Sequence, residues 1–180
     1  MLKINKQTIG IFGGSFDPPH VGHLEISKTT LRKLKLRKIY WIVAKKNPFK
    51  KKPFFSIKDR LSKSKKLVIN NKKIKVLFID DKIKSSRTID VIDYFRNVKK
   101  QKNLYLILGS DNLLKFHKWT SWKKIVKLTK LIVFSRRGYD KKSKESIVVK
   151  YLKNKNITFL KNKLIDVSSS NIRNKYLRNS

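Results

Sequence analysis

A doubly wound α/β fold, one parallel sheet with helices on both faces, is what this sequence of 180 residues predicts. Short apolar runs alternate with stretches of helical periodicity along the whole chain, the pattern of repeated βαβ units. Thr8–Phe12, a short and largely apolar run, fits a strand buried on both faces. Two of the runs stop at glycine turns, Gly13-Gly14 and Gly109-Ser110, the punctuation expected where a strand hands over to a helix.

The elements follow in order. Thr8–Phe12 reads as a first strand, and Leu24, Ile26, Leu31 and Leu34 mark a helix from about Val21 to Leu34. Lys38–Ala44 is the second strand, ended by Asn47-Pro48. Ser56 can cap a helix through about Val68, and Ile74–Ile79 gives a third strand. An amphipathic helix from Thr88 to about Val98 carries Ile89, Ile92 and Phe95 inward, and Leu104–Leu108 is the fourth strand. A helical stretch at Trp122–Leu128 leads to strand Leu131–Ser135, a helix near Ser143–Leu152, a short strand Ile157–Leu160 and a last helix opened by Ser168–Ser170. No internal repeat or linker divides residues 1–180, so one domain is expected. In such sheets ligands bind outside the carboxyl ends of the strands.

Composition narrows the function. With 39% hydrophobic and 11% aromatic residues the chain has the makings of a core. Its longest apolar runs, such as Leu104–Leu108 and Leu131–Phe134, fall far short of the roughly 18 residues of a membrane span. Ile9–Phe12 is too short for the apolar region of a signal peptide. Zero cysteines exclude disulfides, thiolate zinc sites and a catalytic thiol, and a cytoplasmic setting is the expectation. The net charge of +36 suggests nucleic-acid binding at first sight. However, 38 of the 47 cations are Lys, spread from Lys3 to Lys175 amid much Ile and Asn, whereas groove readers lean on Arg. Compositional drift on a solvated surface explains that distribution better, and the resulting field still favours phosphate-bearing ligands.

Two constellations carry chemistry. Gly13-Gly14-Ser15-Phe16-Asp17-Pro18-Pro19-His20-Val21-Gly22-His23 sits between the first strand and the first helix. It matches neither G-x-G-x-x-G nor a P-loop. Its glycines let backbone N–H groups approach an oxyanion, His20 and His23 can hold phosphate oxygens beside the helix dipole, and Gly22 leaves room for a nucleotide on the backbone. A zinc site lacks ligands, since His117 is the only other histidine; two core histidines are the plainer alternative. The second constellation, Val167-Ser168-Ser169-Ser170-Asn171-Ile172-Arg173, offers hydroxyls, helix-start N–H groups and a guanidinium one turn on: a polyphosphate cradle, or an ordinary helix cap.

The first block resembles the signature of the nucleotidylyltransferases that carry H-x-G-H, and the second resembles their I-S-S-T/S-x-I-R segment. Gly109-Ser110-Asp111-Asn112-Leu113, Phe116-His117-Lys118-Trp119, Arg136-Arg137-Gly138-Tyr139 and the Trp41–Lys50 stretch with Asn47-Pro48-Phe49-Lys50 are similar to bacterial nicotinate-nucleotide adenylyltransferase, collinear from Gly13 to Arg173. The resemblance implies a Rossmann-like domain. It also implies adenylyl transfer from ATP to nicotinate mononucleotide, giving nicotinate adenine dinucleotide and pyrophosphate in NAD biosynthesis, with Mg2+ held mainly by the ATP phosphates.

By the match, His20, His23 and Arg173 are catalytic. Gly13, Gly14, Ser15, Phe16, Gly22, Gly109, Asp111, Ser169 and Ser170 join them around ATP, Ser169, Ser170 and Arg173 holding the phosphates that leave. Asp111 would hold a ribose or organise the metal, its alternative being a helix cap. Asn47, Lys50, Arg87, Thr88 and Trp119 fall to the mononucleotide, Trp119 by stacking on the nicotinate ring unless it is a core residue. The chain departs from the family at Arg87, where a tyrosine is usual, at Val91 in place of threonine, and at Arg137-Gly138, which lacks a proline. Arg87 is thereby a candidate partner for the nicotinate carboxylate. Family members continue past the last helix, whereas this sequence stops at Ser180. Nicotinamide mononucleotide or phosphopantetheine as acceptor, and a basic nucleic-acid binder without enzymatic activity, are the rival readings. Neither a specific nucleic acid nor a membrane is an expected partner, and a homo-oligomer stays open.

Overall fold

The computed structural model describes residues 8–46, 52–161 and 167–178. Among them six strands form one all-parallel sheet: β1 (Ile9–Gly14), β2 (Lys38–Val43), β3 (Ile74–Leu77), β4 (Leu104–Gly109), β5 (Lys130–Phe134) and β6 (Ile157–Leu160). Their spatial order is β3-β2-β1-β4-β5-β6, the doubly wound arrangement expected from the alternating pattern.

Side chains alternate between the two faces and build two cores. Ile9, Ile11, Leu104, Leu106, Leu108, Leu131 and Val133 point one way, under helices α4 (Thr88–Asp93), α5 (Ser110–Lys115), α6 (Trp122–Leu128) and α8 (Ile147–Leu152). Phe12, Ile39, Trp41, Val43, Ile107, Ile132 and Phe134 point the other way, under α1 (Val21–Lys33) and α2 (Ile57–Leu67). The predominantly apolar central strands therefore have a core on each side. No helix among the described residues is long and apolar enough to cross a membrane.

Three local readings change. The third strand, expected to reach Ile79, stops at Leu77, and a short helix α3 (Asp80–Ile83) follows. Asp80 is only 4% exposed and accepts from Lys45 N–H at 2.8 Å, which draws the chain out of the sheet. The helix expected near Ser143–Leu152 is two, α7 (Asp140–Lys144) and α8, because Ser146 takes an extended conformation between them. The amphipathic helix from Thr88 keeps α-helical geometry to Asp93 and continues to Val98 as a wider π turn. The last helix, α9 (Ser169–Arg178), starts where the serine run predicts.

The strand order reverses between β1 and β4, which pair side by side from Ile9↔Leu104 to Phe12↔Ile107. Connections leave their carboxyl ends toward opposite faces and open a crevice there. Gly13-Gly14 and Gly109 stand at its mouth.

Candidate active site

The turn after β1 is shaped by backbone before any ligand is considered. Phe16 sits at φ 47°, a left-handed conformation uncommon for a bulky residue, and its 2%-exposed ring stacks on Trp41 at 4.8 Å. Phe16, expected at the nucleotide, therefore supports the turn from beneath; its ring belongs to the core. His20 is extended and opens α1. Its backbone N–H donates to His23 Nδ1 at 3.2 Å, so the His23 ring carries its proton on Nε2 and presents a donor tautomer. The two imidazoles lie 3.9 Å apart between ring centroids.

Gly22 explains how they come so close. A Cβ there would stand 2.9 Å from His20 Cε1 and Nδ1. The space that the sequence suggested for a nucleotide is filled by the His20 ring, folded back over the first turn of α1. Burial pushes the His20 pKa from 6.5 down to about 4, and the charge of Arg136 pushes the same way. The ring is neutral at pH 7, and its Nδ1 is buried without a hydrogen-bond partner.

A stability prediction follows from that shift. Between pH 6.5 and 4 the unfolded chain binds a proton at His20 that the folded chain refuses. The contribution is complete above pH 6.5 and is lost as pH falls toward 4, roughly 3 kcal/mol in all. In urea unfolding at pH 7 and pH 5, His20→Asn should lose less stability on acidification than the wild type, by about 2 kcal/mol.

The C-terminal motif arrives at the same turn from more than 150 positions away. Ser169 Oγ donates to Pro18 O at 2.9 Å, and Arg173 Nη1 donates to Asp17 O at 2.6 Å while its Nη2 donates to Ser170 Oγ at 3.1 Å. Ser168 Oγ accepts from Asn171 N–H at 3.1 Å. Capping and cradle are thus divided: Ser168 takes the cap, and Ser169, Ser170 and Arg173 face the histidine turn.

The end of β4 forms the third wall. A Cβ at Gly109 would collide with the Asp111 carboxylate, which lies against the strand end with its Oδ1 3.4 Å from Arg136 Nε. Asp111 Oδ1 is buried without a hydrogen bond, and Gly109, not Asp111, holds the cap position of α5. The capping alternative for Asp111 falls away. Ser110 Oγ donates to Asp140 Oδ1 at 2.9 Å, and the same oxygen accepts from Arg136 N–H at 2.9 Å, fixing the segment whose Arg136 pairs with Asp111 and whose charge reaches His20.

The remaining expected residues are less closely joined. Gly13 borders open space, with no atom within 4 Å of where a Cβ would stand, and Gly14 lies against the Phe16 ring. Ser15 offers its carbonyl to Arg60 at 2.8 Å. Arg87 is exposed and pairs through Nε with Asp90 at 2.6 Å, and Thr88 is the first residue of α4. Half-buried Trp119 stacks on Phe116 at 4.7 Å, so one face of its ring belongs to the core. None of these three touches the histidine pair. Asn47 and Lys50 lie outside the described residues.

Arg60 belongs to no motif of the sequence, and Asp17 and Arg136 lie inside the motif blocks with no role assigned to them there. Asp17 accepts from Phe54 N–H and Phe55 N–H, each at 2.8 Å. Arg60 and Arg136 complete the set. One signal was available: in a chain of 38 Lys and nine Arg, each position that keeps a planar five-donor fork stands out.

Comparison with known proteins bears directly on this geometry. Residues 11–175 match the cytidylyltransferase-like family model. A protein of Pelagibacter ubique named probable nicotinate-nucleotide adenylyltransferase is 43% identical over 172 residues, 96% of this chain and 95% of that one. The chain belongs to the nicotinate-nucleotide adenylyltransferase family. A similarly named protein of Aquifex aeolicus is 35% identical over 164 residues, covering 89% of this adenylyltransferase and 98% of its relative. Among solved structures, Plasmodium falciparum nicotinic acid mononucleotide adenylyltransferase complexed with NaAD shares the fold at a TM-score of 0.73 and 20% identity, covering 93% of this chain and 83% of that one. The Rossmann-like architecture and the adenylyltransferase assignment implied by the motifs both stand.

Proposed function

We propose that this adenylyltransferase uses ATP and nicotinate mononucleotide, that it works by direct in-line displacement, and that His20, His23, Ser169, Ser170 and Arg173 hold the reacting phosphates. The observation that carries the reading is their convergence on one turn at the switch point of the sheet, with Asp111 and Arg136 closing the other side.

An oxygen of the mononucleotide phosphate attacks the α-phosphorus of ATP. The bond from that phosphorus to the oxygen bridging to the β-phosphate breaks, and its electron pair leaves with pyrophosphate. The nucleophile is already anionic at pH 7, so no enzyme-bound intermediate is needed; the protein's contribution is alignment and neutralisation of charge. His23 donates from Nε2 to the α-phosphate as charge builds there. Neutral His20 steadies the same phosphates, and Arg173 with the two serines draws off the leaving pyrophosphate.

Mg2+ fits this donor set. No group of three or more His, Asp, Glu or Cys able to hold a metal occurs among the described residues, while Asp111 presents a buried carboxylate oxygen lacking a hydrogen bond. Mg2+ takes one or two carboxylates plus substrate phosphates, and there it would neutralise phosphate charge. Asp111 is the side chain that would hold it, or a ribose hydroxyl.

Arg87 supports preference for the acid over the amide mononucleotide. Asp90 holds its Nε, which leaves the outer edge of the fork exposed as a partner for a carboxylate. The reading carries with it a cytoplasmic setting and no specific nucleic-acid partner.

The test is pyrophosphate release from ATP and Mg2+ with nicotinate mononucleotide, nicotinamide mononucleotide or phosphopantetheine offered separately. Release mainly with the nicotinate nucleotide is expected, with Arg87→Ala narrowing the margin over the amide. Preference for either other acceptor moves the enzyme to a different product. Turnover of none, by folded protein that still binds duplex DNA, removes the reading.

A further inference from the structure

The last backbone hydrogen bond between β1 and β2 runs from Ala44 N–H to Gly14 O at 2.9 Å. Just beyond it the carbonyls of Ser15 and Ala44 are left as two acceptors to which no backbone N–H among the described residues donates. One nitrogen serves both: Arg60 Nη1, on α2, donates to Ser15 O and to Ala44 O at 2.8 Å each. The rest of the fork continues the brace, Nη2 donating to Lys45 O at 3.3 Å and Nε to Phe55 O at 3.1 Å. The whole residue is 2% exposed, and the charges of Asp17 and Asp80 act on it.

Those two carboxylates extend the brace to both halves of the site. Asp17 takes the N–H groups of Phe54 and Phe55, while its own carbonyl receives Arg173. Asp80 takes Lys45 N–H and the Ser86 hydroxyl, immediately before Arg87 and Thr88. Through Ser15 O, and through Phe55, whose N–H Asp17 holds, the guanidinium is fixed to the turn that carries His20 and His23. Through Ala44 O and Lys45 O, and from Lys45 N–H on to Asp80 and Ser86, it is linked to the shoulder that carries Arg87 and Thr88.

We propose that Arg60 is a positioning residue of adenylyl transfer: it sets the separation between the ATP-side turn and the acceptor-side shoulder, so that attacking oxygen, phosphorus and leaving oxygen fall in line. This rests on the assignment of the two sides made above. An in-line displacement is unforgiving of such a separation, since a shift of about 1 Å away from the chemistry costs on the order of 10²-fold. The requirement is for a planar fork with several donors, which an ammonium group does not supply.

The test compares wild type, Arg60→Lys and Arg60→Ala by thermal melting and by steady-state kinetics with ATP and nicotinate mononucleotide, each varied in turn. Arg60→Lys is expected to fold, to melt lower, and to lose at least tenfold in kcat/KM with the KM values of both substrates raised together. Methylguanidine at millimolar concentration should restore part of the activity of Arg60→Ala and none to Arg60→Lys, whose side chain still fills the site. A merely structural role scales kcat with the folded fraction and leaves both KM values where they were; that result overturns the proposal, as does failure of both variants to fold. A wild type inactive toward nicotinate mononucleotide but active with another acceptor removes the substrate reading alone, and the same variants are then read with that acceptor.

Discussion

Replacing His23 by alanine is expected to lower kcat for adenylyl transfer by about 10²–10³-fold, the usual cost of removing one aimed donor from a developing oxyanion. The prediction rests on how little freedom the ring has. Its Nδ1 accepts the His20 N–H, and its faces and edges meet Phe16 at 5.0 Å, Phe12 at 5.8 Å and Trp41 at 6.0 Å between centroids. A ring so held is pre-oriented, and its donor needs no reorganisation when charge appears on the α-phosphate. Because the interaction strengthens only as charge develops, kcat and kcat/KM should fall together while KM for ATP barely moves. A rise in KM with kcat preserved would make His23 a ground-state binder and remove its assigned role. The melting temperature of the variant distinguishes both outcomes from loss of structure.

Alternation of short apolar runs with 3.6-residue periodicity sufficed for the parallel sheet, and the helices at Val21 and Ser169 begin where their motifs put them. Those features depend on neighbours in the chain. The third strand ends two residues before its apolar run does, because Asp80 leaves the sheet to meet Lys45, 35 positions earlier. Nothing local distinguishes it from the Asp81 beside it. Phe16 lies inside the motif, yet its ring is committed to Trp41 in the next strand, a contact that nothing local announces. Arg60 and Asp17 were invisible as a pair for the same reason: their partners on Ser15, Ala44 and Phe54 lie on segments that only the fold brings together. The motif residues are legible because chemistry fixes their type and spacing; the residues that hold them follow from three-dimensional contacts, and a single Arg among many Lys is the faint trace they leave.

Gly22→Ala separates stability from activity more sharply than any histidine replacement. Gly22 is the second residue of α1, where alanine is the better helix former by roughly 0.5–1 kcal/mol, so local propensity favours the variant. The obstacle is the imidazole of His20, which a new methyl would meet at 2.9 Å at two ring atoms, with the Val167 carbonyl oxygen at 4.0 Å. A terminal ring can swing clear at small cost, whereas the helix backbone cannot. The expected variant therefore folds with stability near wild type and with His20 turned out of its buried place toward water. Two measurements then move together. Activity with ATP should fall by about 10²-fold, since a phosphate-holding group misplaced by an ångström or more no longer meets its partner. The pH dependence of stability should flatten at the same time, because a solvated imidazole returns from about 4 toward 6.5 and no longer favours unfolding between those values. Full activity in a variant whose pH slope has vanished would show that His20 is displaced without consequence, and would pass its assigned role to His23 and Arg173 alone. An unchanged slope with lost activity would mean that the methyl shifts the helix start as a whole, and His23 with it.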